Sequence, residues 1–116
     1  MGFRTYNLVG ADSALSAVTV VSEVLFTSSP SLLFSVIGYN DDVGTQWLQI
    51  HDVSATPTTA LVPLISIAVA TQTSGQIHFP LGRPMANGIY ACWSSSDTTR
   101  VLTLTDGLID AVYRVI

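Results

Sequence analysis

"PLGRPMANGIYACWSSSDTT", Pro80 to Thr99, sets a run of alternating side chains between two clusters of turn-forming residues. Gly82 and Asn87-Gly88 supply backbone conformations that other residues resist, and the side chains of Ser94, Ser95, Ser96 and Asp97 bond readily to nearby backbone. Between the clusters, "GIYACWS" places Ile89, Ala91 and Trp93 on one side and Tyr90, Cys92 and Ser94 on the other, the period of a strand. The stretch is therefore a core strand framed by turns, and it sets the reading of its neighbours.

The same alternation recurs on both sides. "TQWLQIHDV" buries Leu48 and Ile50 while Trp47, Gln49 and His51 face away. "LISIAVA" sets Ile65, Ile67 and Val69 against Ser66, Ala68 and Ala70, and "GQIHFPL" sets Ile77, Phe79 and Leu81 against Gln76 and His78. "LLFSVIGYN", "RVLTLT" and "LIDAVYRVI" add further strands, and "NDDVG", "SATPTT", "TQTSG" and "TDG" punctuate them. Strands about ten residues apart, with no helical stretch long enough to connect parallel ones, indicate a sandwich or barrel. "ADSALSAVTVVSEVLFTSS" offers a helix cap at Asp12 or Ser13, yet Val18, Thr19, Val20, Val21 and Val24 are β-branched and favour a strand. The expected fold is all-β: an antiparallel β-sandwich of about eight strands, jelly-roll-like. Residues 13–116 form its single domain, preceded by an arm at 1–12.

A chain of 116 residues can bury one core without disulfides, and a lone cysteine forms no internal bridge. Charged residues make up 10% of the chain against about 25% in ordinary domains, and lysine is missing altogether. Arg4, Arg83, Arg100 and Arg114 are scattered and the net charge is -4, so no basic stripe exists for nucleic acid. Apolar runs such as Ala60 to Ala70 are too short to cross a bilayer as a helix, and no secretory leader develops before Asp12, so cytoplasmic synthesis without processing is expected.

Candidate chemistry is sparse. Cys92 lies mid-strand, where nothing local lowers its pKa, although the fold could bring His51 or His78 to it. "WSSSD" lacks the Gly-x-Ser-x-Gly elbow of a nucleophilic serine and reads as a turn. Asn40, Asp41 and Asp42 are oxygen ligands ahead of Gly44, as in a calcium loop, but the sole glutamate, Glu23, is remote and a hairpin loop accounts for the spacing. Two histidines and one cysteine do not make a zinc set. Trp47, Trp93, Tyr39, Tyr90 and Tyr113 offer a stacking platform for sugar rings or, equally, core and subunit contacts. No catalytic, cofactor or metal residue is assigned.

A β-domain that stays monomeric defends its edges with lysines and inward charges. With almost none in its strands, this one is expected to be covered by copies of itself or by other subunits. The apolar arm, with Phe3, Tyr6, Leu8 and Val9, and the C-terminal "AVYRVI" fit that expectation.

The order "SLLFSVIGYN", "TQWLQIHDVSATP", "LVPLISIAVAT", "FPLGRPMANGIYACWSSSDTTRVLTLT" resembles small phage and prophage structural proteins over Ser31 to Ile116. Asn40, His51, Asp52, Pro63, Gly82, Arg83, Asn87, Gly88 and Ile89 carry the resemblance, while Met85 replaces an aromatic and Trp93 a smaller residue. It implies a non-enzymatic virion protein, a capsid decoration subunit first and a tail or fibre component second. The partners it implies are major capsid or tail proteins and copies of itself, with a trimer as the expected symmetry, and no membrane or nucleic acid. The alternative function is a carbohydrate-binding module, free-standing or at a viral tip.

Overall fold

The computed structural model of the chain describes residues 12–15, 22–102 and 107–116. They form β1 (Asp12–Leu15), β2 (Glu23–Thr27), β3 (Ser31–Asn40), β4 (Gln46–His51), β5 (Ile65–Val69), β6 (Thr73–Met85), β7 (Ile89–Ser94) and β8 (Gly107–Val115). Two four-stranded sheets result, the first in the order β1-β8-β3-β6 and the second in the order β2-β7-β4-β5. Every pairing is antiparallel. The chain is a ribbon doubled at the β4–β5 connection, so that β4 meets β5, β3 meets β6, β2 meets β7 and β1 meets β8. Successive pairs of that ribbon fall in alternate sheets, which is the winding of a jelly roll. The expected sandwich is present.

The core lies between the sheets. Leu33 and Val36 of β3, Ile77 and Met85 of β6, and Ile109 and Ala111 of β8 face Leu48 and Ile50 of β4, Val69 of β5, and Ile89, Ala91 and Trp93 of β7. Trp93 is wholly buried, and its room is made from the opposite sheet: a Cβ on Gly38 would come within 2.8 Å of its ring, and one on Gly107 within 2.8 Å of its indole nitrogen. The large residue on one wall is thus matched by glycines on the other.

Four expectations change. The stretch "ADSALSAVTVVSEVLFTSS", expected to hold one strand, contains two, β1 and β2, which belong to different sheets because one pairs with β8 and the other with β7. In "RVLTLT", Leu102 makes only an isolated bridge to Ser94, and residues 103–106 lie outside the described ones. Arg100 and Val101 instead belong to a loop laid across the second sheet.

Alternation points Leu81 inward with Ile77 and Phe79, but it is 93% exposed. Between the pairs Leu33↔Arg83 and Ser35↔His78, residues 79–82 of β6 stand opposite Phe34 alone, so the strand bulges. Pro80 offers no N–H to the ladder there, and Gly82 takes φ +82 with the Phe34 ring beneath it. Gly88, by contrast, does not adopt a positive φ; it is required because a Cβ would lie 2.4 Å from the Val53 carbonyl oxygen and 2.5 Å from that of Thr27. Residues 1–11 of the expected arm lie outside the described ones, and β1 begins at Asp12. Among the described residues no helix is long and apolar enough to cross a membrane.

Candidate functional site

Polar and ionisable side chains converge on the outer face of the second sheet. Register aligns Glu23 of β2, Cys92 of β7, Gln49 of β4 and Ser66 of β5 in one row, and His51 beside Tyr90 in the next. This face reads as the wet side of its strands, yet Gln49, Tyr90 and Cys92 are fully buried and His51 nearly so. Two loops close over it, residues 52–64 and 95–102. Arg100 N donates to the Leu61 carbonyl at 2.7 Å and joins them.

Gln49 anchors the second loop. Its Nε2 donates to the carbonyls of Ser96 at 2.7 Å and Thr99 at 3.0 Å, which turns its Oε1 toward His51 Nε2 at 3.3 Å. Cys92 Sγ lies 3.8 Å from the same oxygen and 4.0 Å from His51 Nε2. Because Oε1 only accepts, the proton of the neutral His51 ring is assigned to Nε2. A base must instead present a lone pair to the thiol.

Electrostatics agree with the geometry. Burial and then the Arg100 charge lower His51 from 6.5 to about 4, and burial pushes the Cys92 thiol up to about 11 despite the opposing influence of Tyr90 and Arg100. A neutral imidazole beside a neutral, enclosed thiol is the reverse of a catalytic pair. The fold therefore does bring His51 to Cys92 and makes of them a packed polar core. His78 sits on β6, in the other sheet, and is exposed.

Arg100 completes the cover. Its Nε donates to Tyr90 Oη at 2.8 Å and its Nη2 to Glu23 Oε1 at 3.2 Å, while Tyr90 Oη donates to the same carboxylate oxygen at 2.6 Å. A further Arg100 N–H reaches the Thr59 carbonyl at 3.4 Å. The tyrosine hydroxyl is held far above its ordinary pKa by burial and by its bond to Glu23. One ion pair thus fastens both loops to β2 and β7. Spacing does not reveal this clasp.

The remaining candidates are architectural. Asn40 is buried; its Oδ1 accepts from Asp42 N at 2.9 Å, and its Nδ2 points to the carbonyls of Gly44, Val69 and Ala70 at 2.9, 3.0 and 3.3 Å. It ties two loops together. Asp52 accepts from the backbone N–H groups of Ala86, Asn87 and Gly88 at 2.9, 2.8 and 3.2 Å and so latches the β6–β7 turn. Desolvation raises its pKa, but these bonds outweigh it and the net shift is downward. Beside this latch, an open groove of about 420 Å³ runs along residues 52–59 with no aromatic in its lining.

Ser94 Oγ donates to the Thr99 carbonyl at 3.0 Å and accepts from Ser96 N and Val101 N, so it shapes the turn that "WSSSD" predicts. Among the described residues no three His, Cys, Asp or Glu side chains gather to hold a metal. The five candidate aromatic residues do not come together as one platform. Trp93 and Tyr90 are buried, Tyr113 Oη donates to the Phe26 carbonyl at 3.0 Å, Tyr39 lies on the first sheet, and Trp47 is half-buried on the second.

No protein-family model matches the chain, and no curated protein does. Among solved structures it is similar to the Tobacco streak virus coat protein, with 12% identity and a TM-score of 0.44 over 98% of this chain and 92% of that one. A likeness this distant shows no common family and gives no residue a role.

Proposed function

We propose that this chain is a non-enzymatic structural subunit of a bacteriophage particle, packing through β-domain contacts as a capsid decoration or cement protein. One observation carries the proposal: the polar chemistry on the outer face of the second sheet is closed over by loops, while apolar side chains elsewhere are left exposed. Ile37, Leu108, Val62, Val43 and Ile116 are exposed around a fold whose cysteine and the histidine beside it are sealed. A surface of that kind, with no lysine to solubilise it, favours burial against neighbours. The jelly roll is a fold of viral capsid and lectin domains alike, so the surface rather than the topology supports the choice.

The test is the particle. Mass spectrometry of purified particles is expected to find the chain at a fixed ratio to the major capsid protein. Particles made without it are expected to burst at lower temperature and to be restored by adding the purified chain. Its absence from the particles would overturn the reading. Specific binding on a glycan array, lost in the Trp47→Ala variant, would favour the carbohydrate-binding alternative.

A further inference from the structure

The two outer faces of the sandwich are treated differently. Loops 52–64 and 95–102 cover the second sheet, but the outer face of the first carries Leu32, Phe34, Ile37 and Tyr39 of β3 beside Leu108 and Val112 of β8, all exposed or half-exposed. The β8 residues on this face are Leu108, Asp110, Val112 and Arg114, since the intervening Ile109 and Ala111 are in the core. The strand thus presents one acid and one base, symmetrically placed about Val112 and roughly 13 Å apart at the rise of a β-strand. Among the described residues the ion pair formed is that of Arg100 with Glu23, so neither Asp110 nor Arg114 has an opposite charge there. Asp110 is half-buried and accepts a hydrogen bond from the adjacent Ala111 N–H.

We infer that two copies of this chain stack face to face through the first sheet, about a twofold axis beside Val112 that sets Asp110 of each copy against Arg114 of the other. Such an axis, lying in the contact plane and crossing β8, reverses the strand direction and exchanges the two positions. A twofold contact needs this self-complementarity, in which one residue meets a second and the second meets the first. The apolar residues on either side then supply the buried area, and the two ion pairs fix the register. The partner is a second copy because the face is complementary to itself. The inference rests on the assembly reading above and names the surface that assembly uses, a twofold pair in place of the expected trimer.

Sedimentation equilibrium of the full chain over micromolar to hundred-micromolar concentrations tests it. The wild type is expected to dimerise, Asp110→Arg and Arg114→Asp each to weaken the dimer by at least about tenfold, and the double reversal to restore it to within about threefold. Circular dichroism and melting establish that each variant folds. If a reversal unfolds the chain, Asp110→Asn and Arg114→Gln replace it, and each is then expected to weaken the dimer as much as both together. A monomer at every concentration, or a trimer or dimer indifferent to these substitutions, would overturn the inference while leaving the particle test untouched. A chain that dimerises as expected but is missing from particles would overturn the virion reading alone.

Discussion

His51 shows how far the environment of one side chain departs from what its strand position suggests. Alternation puts it on the side away from the core, and two loops then bury it against Gln49, Cys92 and Tyr90. Its pKa is lowered to about 4, so between about pH 6.5 and 4 the unfolded chain binds a proton that the folded chain refuses. Stability therefore falls as the pH drops through that window, by up to roughly 3 kcal/mol across its whole width. Denaturant titrations at pH 7, 5.5 and 4 are expected to show this loss in the wild type and a flatter profile in His51→Gln. Identical profiles would mean that the ring is solvated and protonates freely.

At the scale of elements, the unit that matters is the pair of loops clasped by Arg100. No apolar side chain of either loop is fully buried, and Val62 lies 78% exposed in the first. What fixes them is a set of hydrogen bonds ending at Glu23, Tyr90, Gln49 and Ser94. Replacing Arg100 by Met leaves the Glu23 carboxylate and the Tyr90 hydroxyl without their shared partner and is expected to cost roughly 2 kcal/mol. Much of that is local, since loops can open without global unfolding. Cys92 lies beneath the cover and serves as the reporter: a thiol reagent is expected to label it at least about tenfold faster in Arg100→Met than in the wild type. Equal rates would show that the loops do not gate the sulfur.

For the whole molecule, the winding has consequences for how it forms. Asp12 pairs with Tyr113, so the two ends of the described chain must meet before the first sheet is complete. Only β4 and β5 are neighbours in both sequence and sheet. Non-local pairing of this kind makes folding slow, in the range of milliseconds to seconds. Stopped-flow refolding is expected to give such a rate, and loss of β8, which lies between β1 and β3, is expected to abolish the fold. A chain ending before Gly107 that still unfolded cooperatively would contradict this account. Among the described residues the same winding leaves one outer face covered by loops and the other uncovered, which is the basis of the pairing proposed for the first sheet.

By itself the sequence determined the class of the molecule. Period-two runs of β-branched and aromatic residues, bounded by Gly, Asn, Asp, Ser and Pro, specify strands and turns from local sterics, and so the faces of β4, β5 and β7 could be read correctly. Asn87 was legible as a turn residue, although neither it nor Gly88 takes the positive φ that the pair suggests. Only tertiary structure decided what lay on those faces. The bulge beside Phe34, which lets Leu33 and Val36 share the interior, depends on the register of β3 with β6 and β8. Burial of Gln49, His51 and Cys92 depends on the loops that follow β4 and β7 folding back and joining over the sheet, and the Trp93 site on glycines in the opposite sheet. Alternation records which way a side chain points, but long-range packing settles whether it meets water, another strand or a loop.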